Sequence, residues 1–408
     1  MHGRILLIGS LDTKGEEYEY VRGLITARGR KVLVMDTGVL GDPPFRPDIA
    51  SGEVAEEGGS SLVKLREEGD RGKAVEVMIA GVRSLVLKLH AKGIVEGVLG
   101  LGGGAGTNIA TAGMRELPVG IPKVMISSVA SADVSPYVDI SDITMMYSVV
   151  DIAGLNRLSR RILANGAGAI CGMVEQKIPE AADKPLIAAS MFGVTTPCVT
   201  EVRKVLEQAG FEVVIFHATG TGGRAMDGLI RDGFFMAVAD VTTTEWCDEV
   251  AGGVLSAGPD RMGAAGRRGI PQVVSCGALD MVNFHAMHTV PEKFRSRTLY
   301  RHNPNVTLMR TTPEECRIIG RRIAEQLNKA TGPVILALPL KGLSSIDRKG
   351  QPFHNPQANQ ALFEALHQWT EPHIRIIEQD KHINDSEFAG LIASRLLSLL
   401  NEPESVIR

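Results

Sequence analysis

Cysteine is scarce in this chain, and its placement excludes two classes of protein. The five cysteines among 408 residues (Cys171, Cys198, Cys247, Cys276, Cys316) are odd in number, widely spaced and never arranged C-x-x-C. Neither a disulfide framework nor a structural zinc site is expected, and a reducing cytoplasm is the expected location. Aromatic residues make up 4% of the chain, and the net charge is -3 with both signs interspersed. Without a basic face or a stacking platform, nucleic acid is not an expected partner. No apolar run reaches the ~18 to 20 residues of a membrane span, so no membrane association is expected. The opening MHGRILLIGS passes straight into a strand pattern without the regions of a signal peptide.

Glycine, by contrast, is plentiful: 45 residues, gathered in short runs between periodic segments. With 44% hydrophobic and 22% charged residues over 408 positions, this is the profile of an α/β protein of two or three domains. RILLIGS (4–10), a helical pattern at 16–29 and KVLVMDTG (31–38) open the chain as a βαβ unit. A Pro-, Gly- and Asp-rich loop (41–60) precedes a long helical pattern at 73–92, a strand at 94–101, a helix, and the strand KVMISSV (123–129). A long helix is expected at 151–173, and KIPEAADKP (177–185) marks the domain boundary. Beyond it PLIAASMFGVTTP, a helix and FEVVIFHATGTGG repeat the opening element order. The spacing predicts two Rossmann-like doubly wound α/β domains with mainly parallel sheets, residues 1–180 and 181–408, and an interdomain cleft. Ligands of such sheets sit at the carboxyl ends of strands.

GLGGGAGTNIATA (100–112) sits at such an end. Gly102, Gly103, Gly104 and Gly106 offer N–H groups free of bulky side chains at the positive end of a helix, with the Thr107 hydroxyl as a further donor. The stretch is neither GxxxxGK[ST] nor a full GxGxxG fingerprint. It is a phosphate cradle or a tight βα turn packed on its sheet. In SLDTKGEE (10–17), Asp12, Thr13 and Lys14 end the first strand; Lys14 supplies a point charge, or Asp12 or Thr13 is an ordinary helix cap. Residues 126–151 are rich in hydroxyls and acids; Ser128 is counted with the nucleotide contacts, and Asp133, Asp139 and Asp142 are either ligands for hydrated Mg2+ or solvated loop acids.

The second half offers Thr195 and Thr196, then Gly222 and Gly223 in a second glycine nest, then Asp240 followed by Thr242, Thr243 and Thr244. Three successive threonines exceed the need of a cap and point to a polar ligand. Residues 252–284 read as loop, exposing Arg261, Arg267 and Arg268 to an anion. HNPNVTLMRTTPEE and SSIDRKGQPFHNPQAN add His302, Arg310, Asp347 and His354. No histidine has metal-site spacing; His217, His285, His288, His302 and His354 read as polar loop residues, with a general base among them left open.

Taken together, GSLDTKGEE, GLGGGAGTNIA, DIAGLNRLSRRIL, SMFGVTTPCV, FHATGTGGRAM, DVTTTE, GGVLSAGPDR, GALDMVNF, HNPNVTLMRTT and IDRKGQPFHNPQAN resemble the Tm-one-like ATP-binding domain family over essentially the whole chain. The family takes its name from a tomato mosaic virus resistance protein. The resemblance implies two α/β domains, ATP at the first and self-association as a homodimer or larger. In the plant relative this region binds the viral replication protein, and a phosphoenolpyruvate-hydrolase-like barrel follows it. This sequence stops at Arg408 without that barrel, so a separately encoded barrel protein is an expected partner. The family's binding positions match Asp12, Thr13, Lys14 and the 102–107 turn.

Three functions follow. The first is an ATP-binding protein that acts on a small metabolite in the cleft, with Mg2+ bridging phosphates and Asp240 or Asp347 orienting the acceptor. The second is a nucleotide-responsive binding or regulatory module without turnover. The third is a nucleotide-independent sugar-acid or carbonyl-metabolising enzyme.

Overall fold

The computed structural model describes residues 3–179 and 183–401, and the chain divides into two compact units, Met1–Glu180 and Ala181–Arg408. Of the segment 177–185, residues 180–182 lie outside the described part.

The first unit runs β1 (Arg4–Gly9), α1 (Leu11–Ala27), β2 (Val32–Asp36), α2 (Ser51–Glu57), α3 (Leu62–Glu68), α4 (Arg71–Ala91), β3 (Val95–Gly102), α5 (Gly104–Met114), β4 (Lys123–Ser127), α6 (Ser135–Val138), β5 (Thr144–Tyr147) and α7 (Arg157–Glu175). All pairings are parallel, in the order β2-β1-β3-β4-β5. Parallel strands need crossover helices, which cover both faces, so after the exposed Arg4 the run ILLIG is continuously buried and without charge instead of alternating. Ile5 and Leu7 pack with Tyr18, Val21 and Leu163 on one face, and Leu6 and Ile8 with Val82, Val86 and Ile109 on the other. The strand order reverses between β1 and β3, which makes their carboxyl ends the switch point. The loop read at 41–60 contains α2, and the expected long helix begins at Arg157 and not at 151.

The second unit runs β6 (Leu186–Met191), α8 (Thr196–Gln208), β7 (Glu212–His217), α9 (Thr221–Arg231), β8 (Ala237–Thr242), α10 (Glu245–Ala251), α11 (Gly263–Arg268), β9 (Gln272–Gly277), β10 (Met281–Phe284), β11 (Leu299–Asn303), β12 (Val306–Arg310), α12 (Pro313–Leu327), β13 (Val334–Pro339), α13 (Pro356–Trp369), β14 (Arg375–Gln379) and α14 (Ser386–Asn401). Its main sheet is parallel in the order β14-β13-β9-β8-β6-β7. β6 lies between β7 and β8 as β1 lies between β2 and β3. A small antiparallel sheet, β10-β12-β11, is added. The loop reading of 252–284 is corrected: it holds α11, β9 and β10, whose four to six residues each are too short to show a period.

Candidate functional site

A cavity of about 500 Å³ opens at the switch point of the first unit, a volume within the range of small-ligand sites. Ser10, Asp12, Thr13 and Lys14 line it from the end of β1, Thr37 from the end of β2, and Gly103, Gly104 and Gly106 from the start of α5. One buried tyrosine holds these ends together. The Tyr18 hydroxyl accepts from Leu101 N at 2.9 Å and lies within hydrogen-bond reach of the Ile8 and Leu101 carbonyls. A side chain at Gly9 would overlap that ring. Burial raises the Tyr18 pKa far above its ordinary value, so it stays a neutral strut.

Asp12 and Thr13 do not cap α1. Leu11 N donates to Asp36 Oδ1 at 2.9 Å, Asp12 Oδ2 accepts from Leu40 N at 2.9 Å and Gly41 N at 3.3 Å, and the Thr13 hydroxyl reaches back to Ser10 O at 3.4 Å. Lys14 departs from helical geometry (φ -134°, ψ 24°), which kinks α1. Its ammonium donates to Ile152 O.

The glycines separate the two readings of the turn. None of Gly103, Gly104 and Gly106 has positive φ. A Cβ at Gly104 would meet nothing within 4 Å, one at Gly103 would lie 3.6 Å from Ser128 Oγ, and one at Gly106 would lie 3.7 Å from Leu101 O. Neither backbone conformation nor packing within the unit demands glycine at these three positions. Gly102 is different, since a Cβ there would crowd Gly106 Cα at 3.2 Å. The amides of Gly104, Ala105 and Gly106 begin α5 without an acceptor one turn back, and no side chain caps it. The Thr107 hydroxyl faces inward to Ser127 Oγ at 2.7 Å, and Ser128 does not line the cavity, its N–H bonding Gly102 O at 3.2 Å. The expectation of Thr107 as a ligand contact is corrected, because Ser127 Oγ already takes its hydroxyl.

The expected magnesium acids do not gather. Asp133 accepts from Ser135 N at 2.9 Å, and Asp142 pairs with the buried Lys123 ammonium at 2.5 Å. Among the described residues no group of three or more His, Cys, Asp or Glu is arranged to hold a metal ion.

In the second unit the structure buries what the sequence pointed at a ligand. Arg261 is 1% exposed; it grips Asp240 through two bonds of 2.7 and 2.8 Å and Glu245 through one of 2.5 Å. The expectation that it meets an anion from solvent is corrected, whereas Arg267 and Arg268 are exposed. The nest at α9 already holds an anion, because Gly220 N and Gly223 N donate to Glu245 Oε1 at 2.8 and 3.0 Å. A side chain at Gly223 would overlap that carboxylate, and one at Gly222 the His217 carbonyl. Thr242, Thr243 and Thr244 are fully buried; their hydroxyls meet Thr195 Oγ1 (2.8 Å), Ser275 O (3.0 Å) and Met281 O (3.3 Å). Thr195 also bonds Phe192, and the Thr196 hydroxyl bonds Gly193 O. These residues brace strand ends instead of facing a ligand.

Residues 3–179 match the model of the N-terminal domain of an uncharacterised protein family, UPF0261, and residues 184–400 match its C-terminal domain. The chain belongs to the UPF0261 family. A UPF0261 protein of Clostridium tetani is 50% identical over 404 residues, 98% of this chain and all of that one. One from Rhizobium meliloti is 50% identical over 400 residues, 98% of this chain and 99% of that one. The ToMV resistance protein Tm-1(GCR237) of Solanum lycopersicum is 37% identical over 424 residues, covering 97% of this chain and 56% of its own length. A UDP-N-acetylglucosamine 2-epimerase from Rickettsia bellii aligns over 98% of this chain and 96% of that one, with a TM-score of 0.25 and 11% identity.

Two cavity cations of this UPF0261 chain escaped the sequence reading. Arg66 is held by Val39 O and Gly41 O, while the exposed Arg71 has no hydrogen-bond or ion-pair partner among the described residues. They lie on α3 and α4, far along the chain from either loop motif. Leu65, Val75, Met78 and Ile109 give the cavity an apolar wall.

Proposed function

We propose that the first unit binds ATP, with its phosphates on the amides that open α5. The observation that carries this reading is the cradle itself: three glycines, required by neither packing nor φ, border a cavity where added side chains would take up ligand space. Lys14 and Arg71 supply charge, Ser10, Thr13 and Thr37 supply hydroxyls, and the Leu65–Ile109 wall suits an apolar face such as a base. Mg2+ enters with the triphosphate. The reading rests further on the family resemblance, which also leads us to propose self-association and a barrel protein as partner, while the few, widely spaced cysteines lead us to propose a cytoplasmic location. The test is thermal unfolding with and without Mg-ATP. Concentration-dependent stabilisation supports the site, and its absence at millimolar nucleotide rejects it.

Binding without turnover is the version the contacts favour. The two carboxylates on the cavity, Asp12 and Asp70, accept backbone N–H groups, Asp70 from Lys73 N at 3.1 Å. Lys14 and Glu17 also tie α1 to the 152–154 loop, the latter through Gly154 N at 2.6 Å. A ligand that draws Lys14 to its phosphates loosens that tie, as a nucleotide-responsive module requires. Steady release of phosphate with a metabolite would favour the enzyme instead.

A further inference from the structure

The motif SSIDRKGQPFHNPQAN lies in the second unit and contributes nothing to the ATP site proposed in the first. It follows β13, and its residues border a cavity of about 610 Å³ beside the carboxyl ends of β13 and β14. The two strand exits are sewn together by Leu340 N to Gln379 O at 2.9 Å, Lys341 N to Lys381 O at 3.0 Å and Ile383 N to Gly342 O at 3.0 Å. Gly342 has φ 132°, and a side chain there would overlap the Asp347 carbonyl, so this arrangement depends on glycine.

The floor of the cavity is neutral and fixed. Asn359, 6% exposed, donates to Asp347 Oδ2 at 2.7 Å and accepts from Arg310 at 2.7 Å, so the buried Arg310 and Asp347 lie behind it. His382, 3% exposed, accepts Asn384 N on Nδ1 at 3.1 Å, which leaves Nε2 to donate to Ser344 O at 2.9 Å. Burial lowers its pKa, in keeping with that neutral tautomer.

The rim is cationic. Lys341, Arg348 and Lys349 border the opening together with His354. Two of the cations are paired, Lys341 with the exposed Asp380 at 2.7 Å and Arg348 with the half-buried Asp385, which also borders the cavity, at 3.0 Å; both cations are themselves solvent-exposed, so these pairs are cheap to exchange for a stronger acceptor. Lys349 has no partner among the described residues. Leu340 and Phe363 add an apolar wall. A rigid polar floor, a cationic rim and a short apolar wall at parallel strand ends match a molecule with an anionic group on a short carbon body.

We propose that this cavity binds a small organic anion, a carboxylate or a phosphate ester, through Lys341, Arg348 and Lys349 above the Asn359–His382 floor. The test titrates the full chain carrying Gly104→Val, which keeps phosphate out of the first unit, with succinate and with glycerol 3-phosphate by calorimetry. Should that background misfold, Lys14→Ala with Arg71→Ala replaces it. Saturable one-to-one binding of either probe is expected, weakened at least tenfold by Arg348→Ala with Lys349→Ala, both exposed positions. Succinate alone would identify a carboxylate, and glycerol 3-phosphate alone a phosphate ester. Failure of both probes to saturate, or unchanged affinity in the double variant, overturns the proposal.

Discussion

Gly104 is exposed, opens a helix and has room for a side chain, so its substitution separates binding from folding. Gly104→Val is expected to change apo stability by less than about 0.5 kcal/mol, since valine is no worse than glycine in a helix. It is also expected to abolish the ATP-induced rise in melting temperature, which would be worth ~2.7 kcal/mol at a hundredfold excess over Kd. Arg261 behaves in the opposite way. Arg261→Ala strands Asp240 and Glu245 in the interior, and such a broken buried pair costs about 3 to 5 kcal/mol. Denaturant unfolding should show that loss while the ATP shift persists. Thr243→Val, which removes the bond to Ser275 O, should cost about 1 kcal/mol, again without touching the ATP response.

At the scale of elements, two glycine-rich helix starts that look alike in sequence have different fates. α5 begins with free amides facing a cavity, whereas the amides at α9 receive Glu245 from α10. Residue type and spacing are the same signal in both, and only the arrival of a distant carboxylate tells them apart. α1 carries a second consequence, because its kink at Lys14 places the ammonium on Ile152 O beside the cavity. Lys14→Ala is expected to speed amide hydrogen exchange at residues 150–156, and ATP should do the same to the wild-type chain. Exchange there that ignores both changes would mean that the tie is not coupled to the ligand.

For the whole molecule, buried acids of the second unit set a pH dependence. Burial pushes Asp248 up to about 7, and burial together with the neighbouring Asp347 carboxyl pushes Asp280 up to about 7. Between about pH 4 and 7 the folded chain holds protons that the unfolded chain has released, so each acid lowers stability as pH rises, by roughly 1.4 kcal/mol per unit. Above pH 7 the slope ends. Asp248→Asn should therefore flatten stability over that window, as read from denaturant midpoints at several pH values. Light scattering tests the proposed self-association, which a monomer mass at micromolar concentration would reject.

Much of this was legible in the chain order. The apolar runs, glycine turns and βαβ spacing determined two α/β halves with parallel sheets, because parallel strands must be covered on both faces and so leave continuous apolar stretches. The βα turns at Lys14 and Gly104 were likewise visible as local patterns. Tertiary structure alone decided which loops remain open. Whether a hydroxyl, an amide or a guanidinium meets solvent or a partner depends on groups far away in sequence: Glu245 for the α9 amides, Asp240 for Arg261, Ser127 for Thr107. Burial requires each such group to be paired, and no local spacing records who the partner is.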